Sequence, residues 1–293
     1  MTLFLQLGFQ GVALGMVYAL IALGFVIMTK GSNTFNFAHG EFVAVGAYVV
    51  VALMPHLPYW MAFIGSVVVT VTLALVAERL LLRRLVSASP TALILATLAL
   101  AVIVHALVLV VWGVGTKGSA GPVGSGTVEI GDVVLTYSGI ATIGTSILVL
   151  LALLVFFRWT SYGLALRATA SHQEAAAAQG IDVGRMFALS WGIAAALAVV
   201  ASIFLASFPR IVSPTIGLVA LAAIPAVVIG GLDSFVGAVV GGLVVGLIQV
   251  LGAGYLTDYG GGRLHEVLPY VLMLVVLVLR PYGLFGSRGI ERV

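Results

Sequence analysis

Apolar residues fill most of the chain in long runs separated by short polar segments. Runs able to cross a bilayer lie near residues 4–28, 38–54, 59–80, 91–113, 138–157, 186–206, 218–231, 235–253 and 267–279. A hydrocarbon core about 30 Å thick needs about 20 apolar residues per helix, so the pattern predicts spans along nearly the whole sequence. Two runs are irregular: the one from 38 opens with His39 and Glu41, and the one from 218 is short and interrupted by Pro225. Both read as candidates for a broken or re-entrant helix, because non-helical backbone at membrane depth is tolerated where protein surrounds it. The expected architecture is all-α, a polytopic membrane helix bundle of 8–9 transmembrane helices in a single transmembrane domain over residues 1–293. The opening MTLFLQLGFQ has no Lys or Arg before its apolar run and no small-residue cleavage site closes that run, so it reads as a retained span.

Two connecting segments are long. The first, about 114–137, is Gly-rich and contains VEIGDVVL, whose alternation predicts a small hairpin or a lid. The second, about 158–185, has an Ala-rich centre with Glu and Gln, a composition that favours short helix, and Gly180 suits its C-terminal cap. Gly163 and Gly180 are expected to bracket a helical piece. Small-xxx-small pairs at Gly11 and Gly15, Gly237 and Gly241, and Gly242 and Gly246 predict close helix packing within the chain, with a dimer face as the alternative.

Composition agrees with a bilayer solvent. Of 293 residues, 62% are apolar and 8% charged, too few charges to clothe a water-soluble protein of this size. Sorting the cations gives an orientation: Lys30, Arg79, Arg83, Arg84, Arg158, Arg167, Arg185, Arg280, Arg288 and Arg292 fall on one side, and Lys117, Arg210 and Arg263 on the other. Cytoplasmic loops carry the excess of Lys and Arg, which puts the C-terminus in the cytoplasm and the N-terminus outside. The chain has no cysteine, which excludes disulfides, thiolate metal sites and cysteine nucleophiles.

Enzyme signatures are missing. Neither lysine follows a glycine, so there is no Walker loop, and no H-E-x-x-H, H-x-x-E-H or G-x-S-x-G occurs. The five histidines are widely scattered, and the arginines are not interleaved with aromatics as nucleic-acid binding would require. Neither a catalytic, a metal nor a cofactor site is read from these residues. What remains is polar residues in or beside the spans. TFNFAHGEFVAVGAY places Asn36, His39, Gly40 and Glu41 at the start of a helix. Ionisable residues within a span cost about 2.5–3.5 kcal/mol on insertion scales and usually face a cavity or a partner; the alternative is a helix N-terminus where Glu41 complements the dipole. His105 reads as a satisfied bundle histidine rather than a proton relay, and Asp233 with Ser234 as a cap for the Gly-rich span that follows.

Three stretches, NFAHGEFVAVGAY near residue 36, GLALRATASHQEAAAAQGID from 163 and RPYGLFGSRG from 280, together resemble the permease subunits of branched-chain amino acid ABC transporters of the leucine/isoleucine/valine type. The similarity runs through most of the chain. Permeases of ABC importers meet their ATPases through a cytoplasmic loop with the pattern E-A-A, three residues, G, and Glu174, Ala175, Ala176 and Gly180 match it, with Arg167 upstream. The wider pattern continues with Ile and a Leu-Pro pair, whereas MFALSW without Pro follows Arg185 here. The segment 218–246 resembles the family's mobile helix, GG turn and Gly-rich span, but Leu221 to Ile224 stand where members often carry Lys and Phe, a departure that bears on substrate rather than architecture.

The resemblance implies a transport subunit of a bacterial inner membrane with no ATPase site of its own, ATP being bound by partners. It further implies two ABC ATPase subunits below, a second, related permease chain beside it, and a periplasmic or lipid-anchored binding protein above. The substrate expected is a branched-chain or related small, mostly apolar amino acid. An ABC permease for urea or short amides is one alternative. Another is an ion-coupled secondary carrier titrating His39, Glu41 and His105, which requires an inverted repeat; only a faint echo links GEFVAVGAY to DSFVGAVVGG.

Overall fold

The computed structural model describes residues 2–32, 35–85, 88–119, 121–131, 133–207, 211–257 and 262–286. The expected positions of Arg210, Arg288 and Arg292, and the end of the RPYGLFGSRG motif, lie outside the described residues. The chain is helical nearly throughout. Helix α1 covers Thr2–Ser32, α2 His39–Leu53, and α3 Tyr59–Ala77, which continues through a π-helical turn, Glu78–Leu82, into α4, Arg83–Leu85. Helix α5 covers Pro90–Trp112, α6 Tyr137–Trp159, α7 Ser161–Ser171, α8 Gln173–Ala178 and α9 Val183–Leu205. Then come α10 Ile216–Leu221, α11 Ile224–Gly230, α12 Phe235–Tyr255 and α13 Leu264–Leu279. Among the described residues, six helices are long and apolar enough to cross a membrane, and His39–Leu53, Ile216–Gly230 and Leu264–Leu279 are shorter apolar segments.

Both irregular runs owe their form to local chemistry. Helix α2 has 15 residues, about 22 Å at about 1.5 Å per residue, which falls short of a core about 30 Å thick. It is buried on every side from His39 to Val50, as expected of a helix apolar all round. The run from 218 is two helices, broken at Ala222 and Ala223, with Pro225 in the first turn of α11, where its missing N–H costs no helical bond.

The predicted hairpin is present: β2 (Thr127–Ile130) pairs antiparallel with β3 (Val133–Thr136), Thr127 opposite Thr136. A pairing the sequence did not announce joins β1 (Lys117–Gly118) to β4 (Ile211–Val212). The chain divides into two compact units, one of Met1–Val26, Val123–Ser146 and Ala222–Val293, the other of Ile27–Pro122 and Ile147–Leu221.

In the first unit, glycine spacing decides the packing. A Cβ on Gly15 would stand 2.8 Å from the Leu243 Cα, and one on Gly246 would fall onto the Gly15 backbone. Helices α1 and α12 therefore touch main chain to main chain, and Tyr18 donates a 2.7 Å hydrogen bond to Gln249 Oε1 across the same crossing. A Cβ on Gly241 would meet the Ala226 carbonyl of α11. All three predicted glycine pairs thus serve packing within the chain. Ser234 caps α12, its Oγ accepting from the Gly237 N–H at 3.0 Å, and the tail motif folds back so that Leu284 and Phe285 N–H groups donate to the carbonyls of Ile229 and Gly230. Those are orphan carbonyls at the end of α11, which a helix terminus must otherwise leave to solvent.

The second unit is organised around α2, which packs against α3, α5, α9 and α10. At Gly46 the approach is close: Ser66 Oγ of α3 donates to its carbonyl at 2.8 Å, and a Cβ there would lie 3.1 Å from Val199 of α9. Farther along, Phe42 and Trp191 meet edge to face.

Candidate functional site

Two groupings in the second unit carry the polar residues singled out above. The first is the segment between α6 and α9. Thr160 caps α7, its Oγ1 accepting from the Gly163 N–H at 2.9 Å, so Gly163 lies inside a helix rather than before one. A Cβ on Gly163 would strike the Phe156 carbonyl, which explains why glycine sits there. The expected single helical piece is two helices. They part at His172, which ends α7 and caps α8 by accepting from the Ala175 N–H at 3.4 Å. Gly180 does close α8 as expected. It holds φ +83°, donates to the Ala177 carbonyl at 2.9 Å and lets the Ile181 N–H reach the Ala176 carbonyl at 3.1 Å, an arrangement that L side chains resist.

Glu174 occupies the first turn of α8, where a carboxylate is favoured by the helix dipole. Glu174, Ala175, Ala177, Ala178 and Gly180 are exposed, as is Arg167 on α7, whereas Ala176 is buried. Ala176 therefore seats the short helix on its own chain, and the surface offered outward is one acid on a flat of alanine. Asp182 caps α9 by accepting from the Arg185 N–H at 3.0 Å and pairs with its guanidinium at 2.9 Å.

The second grouping surrounds the start of α2. Asn36 is fully buried, and its Oδ1 accepts from the Ala38 N–H at 2.9 Å, which sets the turn into the helix. His39, the first helical residue, is fully buried. A Cβ on Gly40 would stand 2.6 Å from the Gly217 carbonyl, so α2 and α10 meet at bare backbone. Glu41, only 6% exposed, turns its carboxylate toward two neighbours. His105 Nδ1 of α5 lies 3.2 Å from Oε2, within reach for a protonated nitrogen to donate, and a Cβ on Gly217 would come within 2.8 Å of Oε1. The helix-start and partner readings of Glu41 hold together: it is in the first turn and it has a partner. Sequence reasoning named both Glu41 and His105 without pairing them, 64 positions apart, and it missed Gly217 altogether. It also missed Glu78, buried at the π turn, though an acid amid Arg79, Arg83 and Arg84 is a readable oddity.

Among the described residues no group of three or more His, Cys, Asp or Glu side chains could hold a metal ion. The chain overlaps well with a solved structure, PsaBC from Streptococcus pneumoniae in complex with Fab, at TM-score 0.54 over 96% of this chain and 93% of that one. At 16% identity, that likeness speaks for the fold alone. Residues 8–277 match the family described as branched-chain amino acid transport system / permease component. Over 99% of its length the chain is 31% identical to the high-affinity branched-chain amino acid transport system permease protein LivH of Escherichia coli K12, covering 98% of that protein. It is 30% identical to BraD of Pseudomonas aeruginosa with the same coverage, and 31% identical over 91% of its length to the probable LivH of Methanocaldococcus jannaschii, 88% of which is covered. With its helical architecture and these full-length likenesses, the chain belongs to the family of branched-chain amino acid transport permease components and is a multi-pass membrane protein.

Proposed function

We propose that this chain lines the translocation pathway of an ABC importer for branched-chain amino acids and takes its energy from ATPases that grip α7 and α8. The single observation that supports this most strongly is the E-A-A, three residues, G segment folded as a short capped helix with Glu174 and Ala175 outward, in a chain of this family. In this reading two ATPases sit below, a second, related permease completes the pathway, and a periplasmic or lipid-anchored binding protein delivers substrate. The positive cluster and the coupling loop face the bacterial cytoplasm with the C-terminus, and the N-terminus lies outside. ATP binding and hydrolysis shift the loop between two positions, and the pathway opens alternately to either side. ATP is held by the partners, and the chain itself needs no cofactor.

Asn36, His39, Gly40 and Glu41 are assigned to the pathway, because buried polar groups at the head of a helix too short to span are costly unless they serve a cavity or a partner. The bare-backbone contact between Gly40 and Gly217 brings α10 against the head of α2 with the Glu41 carboxylate beside it, so a shift of α10 changes the surroundings of that carboxylate. Glu41→Gln keeps a hydrogen-bonding group opposite His105 and removes the charge. It is expected to leave insertion and ATPase association unchanged and to lower uptake about tenfold, the size of one lost charged hydrogen bond. Unchanged uptake in that variant takes Glu41 out of the pathway.

The substrate is tested in proteoliposomes holding both permeases, the ATPases and the binding protein, loaded with ATP. Uptake of labelled leucine, competed by isoleucine and valine and not by urea or acetamide, is the expected outcome. Competition by urea or acetamide alone reassigns the substrate to the amide class.

A further inference from the structure

Arg83 stands where three elements of the second unit converge. Its Nε lies 3.4 Å from Glu78 Oε1, and its Nη2 donates at 3.2 Å to the Gly184 carbonyl in the first turn of α9. Glu78 is 1% exposed, whereas the Arg83 side chain is 43% exposed, so the guanidinium reaches from solvent to a carboxylate that burial obliges to find a partner. Glu78 begins the π-helical turn that prolongs α3, and π turns inside α-helices are frequent at functional sites. Gly184 follows the docking loop directly, since only Gln179 to Asp182 separate α8 from α9. One planar cation with donors on separate nitrogens can hold both a carboxylate and a carbonyl, which a lysine ammonium does less well.

We infer that Arg83, anchored by Glu78, is a transmission residue that ties the N-terminus of α9 to the cytoplasmic end of α3, so that displacement of the docking loop moves both helices together. This rests on α7 and α8 being the ATPase-docking loop. A push on α8 reaches α9 first, through the capped turn at Asp182. Without the Arg83 link only side-chain packing would carry the motion of α9 to α3 and α2, and the end of α3 at the π turn would lag. The pathway helix α2 would then receive only part of the stroke.

The test measures ATP hydrolysis and leucine uptake together in proteoliposomes holding the complete complex. Arg83→Gln and Glu78→Gln are expected to keep ATPase co-purification and hydrolysis while uptake per ATP falls about tenfold, within the range that residues along a coupling network command. Arg83→Lys should recover part of that loss. An unchanged ratio of uptake to hydrolysis in both glutamine variants overturns the inference. Because the chain lacks cysteine, spin labels placed with Arg84→Cys and Gln179→Cys give a second reading on the solubilised complex. The distance between them should hold its value between nucleotide-free and ATP-bound states when Arg83 is present and change when Arg83 is Gln. A distance that changes equally in both backgrounds refutes the link. Retained ATPase binding in Glu174→Lys would instead sink the docking reading, a result distinct from either of these.

Discussion

Replacing Glu174 with Lys is expected to strip the ATPases from the complex and to reduce uptake to below about one hundredth, as the loss of one central interface anchor commonly does. The position explains the size of the effect. Glu174 is exposed in the first turn of a six-residue helix, where its charge complements the dipole, and the residues beside it are alanines that let a groove close over the helix. Lysine reverses the charge, places a cation against the positive end of the helix and, in the proposed docking, denies the ATPase its acidic contact. Because Ala176 rather than Glu174 holds α8 to its own chain, the substitution should leave folding and insertion intact. Co-purification of the ATPases from detergent checks it, and unchanged recovery would remove the role assigned to Glu174. Glu174→Gln, which keeps shape and hydrogen bonding, should fall between the two.

A second large effect is expected from Gly246→Leu. The first atom of any side chain there would occupy the Gly15 backbone and stand 2.7 Å from the Gly11 carbonyl. Neither neighbour is a flexible side chain that can swing aside, so the crossing of α1 and α12 must open, and overpacking of that kind costs about 3 kcal/mol or more. Opening it also strains the Tyr18–Gln249 hydrogen bond, which spans the same pair of helices. The measurement is thermal unfolding in detergent alongside expression level: a clear fall in both is expected, with ATPase recovery per folded molecule preserved. Gly8→Leu is the control, since nothing lies within 4 Å of the place a Cβ would take.

The hydrophobic pattern placed most helices within a few residues of where they lie, because an apolar run in lipid has few alternatives to a helix that satisfies its own backbone. It also marked the two irregular segments, through His39 and Glu41 in one and Pro225 in the other. The break at Ala222 and Ala223 follows from the second of these: alanine alone favours helix, but Pro225 has no N–H to offer the Leu221 carbonyl and its ring crowds that carbonyl, so the helix must restart with Pro225 in its first turn. Gly163 has the look of punctuation in the sequence, whereas its absent side chain is required by the Phe156 carbonyl behind it. The residues proposed to dock the ATPases are legible because a short motif with fixed spacing carries them. The pairing of Glu41 with His105, the approach of Gly217 to both Gly40 and Glu41, and the reach of Arg83 to Gly184 depend on which helices become neighbours. Periodicity within one helix carries no trace of that.

The source of the energy is the most direct measurement of what this chain does. Leucine uptake is followed in proteoliposomes under two conditions: this permease alone with an imposed proton or sodium gradient, and the complete complex with binding protein outside and ATP inside. Uptake only in the second, stopped by a nonhydrolysable ATP analogue, is the expected result. Gradient-driven uptake by the lone chain, abolished by Glu41→Gln, would contradict it and make Glu41 and His105 the coupling groups of a secondary carrier.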